Sequence, residues 1–399
     1  MVHRLHSTVL IVGGGPVGLI TALGLANSGV DVRVIERSPG IVYEPRAMTY
    51  HWAVLDGLER LGLLGDMERE GFRLHQMCYR VLKTGEIIKL DLGAMIGHTT
   101  HPYTVVLGQD QLAEIALKKL QAHPNVQIEW SAEALTIHHD DNSVSVRTRH
   151  VDDTLTYTAD WLIGTDGARS IVRKSIDVDF EGITWPEQFV ATNVRIDLGA
   201  YGWDDCNYLV DDKLGAVICR ITDDLWRVTF SEPSELGEDR AEERIREYYD
   251  QVLPAGVEYE KTLHSIYKMH QRVAARLRVG RVLLAGDAAH ATNPTNGFGL
   301  VSGMLDSMVL SEALAAVIQG RADDTILDRY SDDRRRVFNE VATPSSSETK
   351  RLVFHSTDAD RLERDLQRLR DVAADPERSR DHFRIGAGLR TPSVVPAGV

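Results

Sequence analysis

The chain has 399 residues with 45 basic and 59 acidic side chains, which gives a formal net charge of −14. Its hydrophobic content of 43% and charged content of 26% are ordinary for globular proteins, which excludes a disordered chain; the length predicts two or three domains. The negative charge argues against nucleic acid as a partner, and three widely spaced cysteines argue against a disulfide scaffold or a zinc ribbon and favour a reducing cytoplasm.

The first predicted elements lie in an uncharged stretch from Val9 to Val30, which is long enough to span a bilayer. Its glycines and polar residues instead favour a buried strand over 8–12, a glycine turn, and a helix over 19–28. We therefore expect no membrane association. A second strand over 30–35 follows, and the order of strand, GxGxxG turn, helix and strand predicts a dinucleotide-binding unit.

The glycine turn carries the predicted phosphate-binding residues. Gly13 permits the tight turn, Gly15 permits close approach of a pyrophosphate, and Gly18 permits the helix to pack against the strand. Pro16 and Val17 complete this loop, and the free N–H groups at the helix start attract anionic phosphates.

An acidic residue follows the second strand, at the position where a carboxylate binds an adenosine ribose. Glu36 lies there, which favours FAD or NAD(H) over NADPH at this site. Arg37, next to it, is either a phosphate contact or a solvated surface cation.

Two further motifs follow the pattern of a buried strand entering a glycine turn. The first contains Asp166-Gly167, and the second contains Gly286-Asp287 and continues through Pro294 to a glycine-rich helix start at 296–300. With the opening turn, these motifs resemble the three signatures of the single-component, FAD-dependent aromatic monooxygenases of the p-hydroxybenzoate hydroxylase type (group A), over about residues 8–340.

The resemblance implies how the second and third motifs contact the cofactor. Asp287, at the end of its strand, is placed to bind the ribityl chain of FAD, and Asp166 would contact both FAD and NADPH or NADH, or is only a turn residue. Pro294 would lie beside the flavin carbon at which oxygen adds. Backbone N–H groups near the helix start face phosphate or the flavin pyrimidine edge. The residues at this helix start are Gly297, Gly299 and Leu300.

Three other positions either match the residue that is common in the family or depart from it. Arg46 matches a family arginine near the flavin. Gln109 stands where many members carry an arginine that reaches the FAD phosphates, so it keeps a donor but loses the charge. Val301 replaces a common asparagine, which puts a side-chain contact to the flavin in doubt.

The region over about 182–266 has the residue pattern of an antiparallel sheet. Val190 to Asp197 alternates between apolar and polar residues, further strands are predicted over 206–210, 214–221 and 225–230, and a charged helix over 238–251. In the family, such a sheet covers the flavin as a substrate lid.

The substrate contacts carried over from the family are Tyr208, Arg220 and Trp226, with His101 from a neighbouring loop. A tyrosine hydroxyl can relay the substrate proton, and an arginine can pair with a carboxylate or phenolate. Catalytic roles are therefore expected for Tyr208, Arg220 and Pro294. The alternatives are a strand tyrosine, a rim cation and a core tryptophan. Nothing in the histidine spacing predicts a metal site.

The basic cluster of the chain has two interpretations. It either attracts the phosphates of the nicotinamide nucleotide or forms a solvated face, which we favour. Its members are Arg272, Arg276, Arg278 and Arg281.

These features predict an α/β fold with two interleaved domains. The FAD-binding domain is Rossmann-like and takes residues 1–72, 104–181 and 267–345; the substrate-binding sheet takes 73–103 and 182–266. Residues 346–399 are expected to form a helical segment and, from about 376, a tail.

The predicted activity is hydroxylation of a phenolic or other electron-rich aromatic or heteroaromatic compound with NADPH or NADH and O2, through a flavin C4a hydroperoxide. Alternatives are an epoxidase, a Baeyer–Villiger-type or decarboxylating oxygenase, a nicotinamide-dependent dehydrogenase, or a non-catalytic nucleotide-binding module. The protein is expected to be a cytoplasmic monomer or homodimer.

Overall fold

The computed structural model describes residues 5–44, 46–151 and 153–396. The ends of the predicted domains at 1–4 and 397–399 lie outside the described residues. The β-strands are β1 (His6–Val12), β2 (Val32–Ile35), β3 (Thr49–Tyr50), β4 (Phe72–Leu74), β5 (Gln76–Val81), β6 (Ile87–Asp91), β7 (Thr104–Val106), β8 (Val126–Glu129), β9 (Ala132–His139), β10 (Val144–His150), β11 (Asp153–Gly164), β12 (Phe180–Arg195), β13 (Cys206–Val210), β14 (Ala216–Arg220), β15 (Leu225–Pro233), β16 (Glu260–Ala274), β17 (Arg278–Val279), β18 (Val282–Leu284) and β19 (His290–Ala291).

The α-helices are α1 (Pro16–Asn27), α2 (Trp52–Arg60), α3 (Leu64–Glu70), α4 (Gln109–Leu120), α5 (Ile171–Ser175), α6 (Ala241–Val252), α7 (Phe298–Ile318), α8 (Ile326–Val337), α9 (Thr343–Phe354), α10 (Ala359–Ala374), α11 (Pro376–Phe383) and α12 (Ile385–Gly388). Short 3₁₀ turns lie at Leu92–Met95, Gly199–Tyr201, Gly286–Ala288 and Pro294–Asn296, and a π-helical turn over Phe338–Ala342 joins α8 to α9.

The nucleotide-binding sheet has the strand order β17-β18-β11-β1-β2-β8, with β9 and β10 attached to β11. The strands β18, β11, β1, β2 and β8 run parallel, and β1 and β2 are almost fully buried, as apolar strands covered on both faces are. Helix α1 packs closely on α7, where the Thr21 hydroxyl donates to the Ser307 hydroxyl at 2.9 Å. The predicted strand, turn, helix and strand are therefore confirmed, and the uncharged stretch forms this buried unit.

The lid sheet has the order β19-β16-β12-β15-β14-β13-β5-β6 and is antiparallel except between β13 and β5. The predicted strands over 206–210, 214–221 and 225–230 appear as β13, β14 and β15, and the charged helix appears as α6. Apolar side chains of α6 pack on one face of this sheet with Val190, Val194 and Phe230, as the alternation along β12 predicts.

One local expectation is corrected by the structure. The tail expected from about 376 contains a further helix, α11, whose first turn is capped by the Asp375 carboxylate. Phe383 of that helix is buried in a hydrophobic cluster with Leu366 of α10 and Leu90 of β6. This packing orders the segment, although its sequence is mostly charged.

Helix α7 is long and apolar enough to cross a membrane by length and composition alone. Its mean hydropathy over the relevant window is 1.5, but 78% of that window is buried inside the structure. It lies against α1, α8 and the Gly286–Ala288 turn, a position typical of the core helix of a globular domain.

Candidate active site

The glycine turn after β1 has the shape of a phosphate cradle. Gly13 has φ +112°, and a Cβ there would lie 2.5 Å from the carbonyl oxygen of Thr165. A Cβ on Gly18 would lie 2.0 Å from the carbonyl oxygen of Gly13, whereas Gly15 faces open space. Because no side chain caps the N-terminus of α1, its N–H groups point into that space, where an anion is favoured.

Glu36 lies beside this turn, directly after β2. Its carboxylate accepts hydrogen bonds from the backbone N–H of Gly14 at 2.7 Å and of Ser38 at 2.8 Å. These bonds fix the carboxylate at the open end of the turn while each oxygen keeps a free lone pair. The geometry fits a ribose contact; Arg37 points to solvent.

Asp166 follows β11 and begins the turn into α5. One carboxylate oxygen accepts from the N–H of Ile171 at 2.7 Å and of Val172 at 3.2 Å, while the other oxygen is buried and has no described partner. Burial raises the pKa of Asp166, against the effect of these hydrogen bonds. The residue therefore caps a helix and also leaves one oxygen for a ligand.

Asp287 lies in the 3₁₀ turn after β18. Its side chain is accessible to solvent, yet protein surrounds it closely enough for burial to raise its pKa. We call the space in front of this side chain the cleft. The positive charges of His290 and Arg46 act in the opposite direction on this pKa. The Arg46 guanidinium itself is half exposed and pairs with Glu44 at 2.7 Å.

The turn at Pro294–Asn296 closes the cleft before α7. The Asn293 amide donates to Gln271 at 3.1 Å, and the Asn296 amide donates to the carbonyl of Ser345 at 3.2 Å, so both ends of the turn are held. Gly297 has φ +69°, and no side chain caps the start of α7 at Gly299 and Leu300. This second uncapped helix start offers backbone N–H groups to a ligand.

Strand register determines which lid residues face this cleft. Paired residues of neighbouring strands lie on the same face of a sheet. The first row of paired residues on this face consists of Asn193, Arg227, Cys219 and Cys206. The second row consists of Ala191, Thr229, Val217 and Tyr208. We call this surface, together with Phe189 and Tyr267, the cleft face. The second row carries the short side chains of Ala191, Thr229 and Val217 between Arg227 and the aromatic residues, and we call this strip of short side chains the recess.

Arg227 connects the cleft face to the nucleotide-binding side. Its guanidinium is 8% exposed, donates to the Asn193 amide oxygen at 2.6 Å, and also donates to the backbone carbonyl of Arg46. It has no carboxylate partner among the described residues, and burial lowers its pKa. A cation of this kind is available to an anionic group in the recess.

The two tyrosines of the cleft face stay protonated near neutral pH. Burial raises the pKa of Tyr208 well above its usual value, and Tyr208 stacks on Tyr79 with ring centroids 5.0 Å apart. Burial raises the pKa of Tyr267 to about 12, although Arg227 and Arg46 act against this shift. Both hydroxyls are therefore hydrogen-bond donors rather than bases.

The structure corrects the expected substrate contact of Trp226. Trp226 is 1% exposed and packs with Ile245 and Tyr249 of α6, on the opposite face from Arg227. Adjacent residues of a strand point to opposite faces, so the alternation along β15 already distinguished the two. Trp226 is therefore a core residue, which was the alternative to a substrate contact.

The remaining predicted substrate residues have protein partners. Arg220 pairs with Asp205 at 2.6 Å and Asp223 at 3.0 Å, so two carboxylates already neutralise it. His101 is buried with Tyr103, whose hydroxyl lies 3.0 Å from its Nδ1, and lines a surface cavity with Glu59 rather than the cleft face.

The basic cluster is largely engaged in other contacts. Arg278 is paired with Asp324 and with Asp328, and Arg281 donates to two backbone carbonyls. No group of three or more candidate ligands with metal-binding geometry occurs among the described residues.

Comparison with known proteins is consistent with this geometry. The model of the "FAD binding domain" family matches residues 6–345. The chain is 41% identical to a 6-hydroxy-3-succinoylpyridine 3-monooxygenase of Pseudomonas putida, over 96% of this chain and 98% of that protein. It is 39% identical to a para-nitrophenol 4-monooxygenase of a Pseudomonas species, over 90% of each chain. The crystal structure of a p-nitrophenol 4-monooxygenase from Pseudomonas putida superposes with a TM-score of 0.93 at 37% identity, covering 96% of this chain and 98% of the other.

Proposed function

This chain belongs to the FAD-dependent aromatic monooxygenases of the p-hydroxybenzoate hydroxylase type, and on that premise we propose that it hydroxylates a phenol or a hydroxylated N-heteroaromatic ring bound against the cleft face. It uses FAD with NADPH or NADH and O2. The observation that carries the proposal is the buried Arg227 guanidinium, which has neutral partners and lies beside a strip of short side chains and the aromatic residues of the cleft face. The two monooxygenases named above by their substrates act on a hydroxylated pyridine and on a nitrophenol.

The residues present fit FAD. The glycine turn excludes any Cβ at Gly13 and Gly18 and leaves open space at Gly15, as a pyrophosphate requires. Bound FAD supplies the redox chemistry and the activation of oxygen. We propose that the adenosine ribose binds Glu36, the phosphates bind the start of α1, and the ribityl chain binds Asp287. The other proposed contacts are Pro16, Val17, Arg37, Arg46, Gln109, Asp166, Gly297, Gly299 and Leu300.

The lid residues prepare the substrate for oxygen transfer. A free phenol has a pKa near ~10, so it is mostly neutral at pH 7 and only weakly electron-rich. The buried charge of Arg227 favours the phenolate, since an opposite charge at close range in a poorly solvated site stabilises the ionised form. Tyr208 donates a hydrogen bond to the substrate oxygen, and Tyr267 and Phe189 exclude water from the recess.

The rest of the site is a proposal of the same kind. Pro294 is proposed to line the reacting side of the cleft, and Arg220 and His101 remain predicted contacts that act only if substrate displaces their present partners. We also propose the division into 1–72, 104–181 and 267–345 against 73–103 and 182–266, and a monomeric or dimeric protein of the cytoplasm. Light scattering of the purified protein measures the oligomeric state.

The test is a substrate panel with the FAD-loaded protein. It contains 4-nitrophenol, 6-hydroxy-3-succinoylpyridine and their analogues lacking the ring hydroxyl, each with NADH and with NADPH under ¹⁸O₂. We expect oxygen uptake and a product that carries one ¹⁸O atom only with hydroxylated rings. NAD(P)H oxidation without ¹⁸O in any product would contradict oxygen transfer and favour an oxidase or dehydrogenase. Incorporation into non-aromatic ketones or alkenes would favour a Baeyer–Villiger enzyme or an epoxidase.

A further inference from the structure

Three fully buried side chains, a carboxylate, an arginine and a histidine, lie directly behind the Gly286–Ala288 turn. The Asp306 carboxylate of α7 lies 2.7 Å from Nε2 of His290 and 2.7 Å from Nε of Arg334, and all three side chains are 0% exposed. Burial alone would raise the pKa of Asp306, but the charges of His290 and Arg334 lower it to about 2. Because buried ion pairs are often no more stabilising than apolar packing, their position at this turn points to a further role.

The same carboxylate holds the backbone of the turn. Oδ2 of Asp306 accepts a hydrogen bond from the Gly286 N–H at 3.0 Å. Gly286 has φ +61°, and a Cβ there would lie 3.0 Å from Val17. Gly303 of α7 approaches so closely that its own Cβ would lie 3.0 Å from the Gly286 Cα. The turn is thus clamped between α1 and α7, and Asp287 is the next residue.

We propose that Asp306 is a positioning residue for FAD, which acts through the Gly286 N–H to hold the Asp287 carboxylate where it meets the ribityl hydroxyls. Arg334 keeps Asp306 in place, since it also donates to the carbonyls of Leu389 at 2.7 Å and Ser302 at 3.3 Å. The inference rests on the proposed contact between Asp287 and FAD.

A double-mutant cycle on FAD affinity tests this directly. In Asp306→Asn, a single acceptor oxygen replaces two, so either Gly286 N–H or Arg334 faces an amide NH₂ group. Fluorescence quenching of FAD by the apoproteins gives the dissociation constants. We expect Asp287→Asn and Asp306→Asn each to weaken binding about 10-fold or more, and the double variant to be within about 2-fold of Asp287→Asn. Asp365→Asn is the matched control, because it neutralises another buried carboxylate that is paired with an arginine, Arg351, and because Asp365 lies on α10, which contacts α11 and β6 instead of the Gly286–Ala288 turn; it should bind FAD within about 2-fold of wild type.

The outcomes separate the inference from its premise. Losses that multiply in the double variant, or wild-type affinity in Asp306→Asn, overturn the positioning role while leaving Asp287 in contact with FAD. Wild-type affinity in Asp287→Asn overturns the Asp287 contact itself, and the inference with it. If circular dichroism shows that the Asp306→Asn apoprotein is unfolded, Asp306→Leu combined with Arg334→Met removes both charges together and replaces it in the same cycle.

Discussion

The Arg227 guanidinium of the lid donates a hydrogen bond to the backbone carbonyl of Arg46, which belongs to the nucleotide-binding side of the cleft. A single buried side chain thus touches the loop proposed to lie near FAD and the recess proposed to hold the aromatic ring. Its second partner, Asn193, is neutral, so the charge of Arg227 is not cancelled by either contact. Both the orientation of the lid and the ionisation of the substrate are expected to depend on it.

Replacing this charge tests its effect on the substrate. Arg227→Gln keeps donors for Asn193 and Arg46 but loses the positive charge. We expect kcat/KM for a phenol to fall about 10- to 100-fold, with a smaller loss at pH values where the substrate is already ionised. Steady-state kinetics from pH 6 to 9 measures this. Arg195→Gln is the control, since Arg195 lies on the same lid but is half exposed and paired with Asp224; an equal loss in both variants would contradict a local role.

Tyr208→Phe removes one hydroxyl from the cleft face. Because no hydrogen bond of this hydroxyl occurs within the part of the chain that the structure describes, its removal leaves no protein group unsatisfied, and the melting temperature should change little. We expect kcat to fall about 10-fold, since a hydrogen bond to the substrate oxygen is lost. Tyr201→Phe, at an exposed tyrosine, is the matched control. Unchanged kcat in Tyr208→Phe would exclude a proton relay through this residue.

The phosphate cradle is tested by adding one methyl group. In Gly18→Ala the Cβ would overlap the Gly13 carbonyl at 2.0 Å, so the turn must open and FAD affinity should fall about 100-fold or more. Gly40→Ala is the control, because no heavy atom lies within 4 Å of its Cβ position. Titration of each apoprotein with FAD measures the difference. Tight FAD binding by Gly18→Ala would contradict the proposed position of the pyrophosphate.

Trp226 should affect stability rather than specificity. Trp226→Leu leaves a cavity beneath α6, and we expect a loss of about 3 kcal/mol in the free energy of unfolding. KM of the folded enzyme should stay within about 2-fold of wild type, since the side chain points away from the cleft face. Urea unfolding and steady-state kinetics give the two quantities. A large change in KM with little loss of stability would restore Trp226 as a substrate contact.

Acid pH should destabilise the protein through Asp306. Its pKa is lowered from 3.8 to about 2 in the folded protein, so the folded state favours the ionised form. This contributes about 2 kcal/mol of stability that is fully present well above pH 4 and is lost as the pH falls towards 2. Urea unfolding of the apoprotein between pH 6 and pH 3 measures it. Asp306→Asn should show a correspondingly weaker dependence on pH; the same dependence in both proteins would contradict this assignment.

Much of the nucleotide-binding site was predictable because its determinants are contiguous in the chain. The steric demands of Gly13 and Gly18, the strand before them and the acidic residue after the next strand all lie within 36 residues of the N-terminus. Periodicity over neighbouring residues likewise predicts α6, since its buried residues recur at helical spacing and share one face.

The substrate face depended on information that no local pattern carries. Alternation separates Trp226 from Arg227, but only the packing of α6 on the Trp226 side decides that the cleft lies on the other. The pairing of Asp306 with His290 and Arg334 joins residues from three separate segments of the chain. The net charge of −14 does not indicate where such local pairings occur. The sequence by itself therefore determined the cofactor and the fold, because these rest on short-range steric and periodic constraints. Tertiary structure alone decided which charges meet, because strand register and helix packing bring distant residues within hydrogen-bonding range.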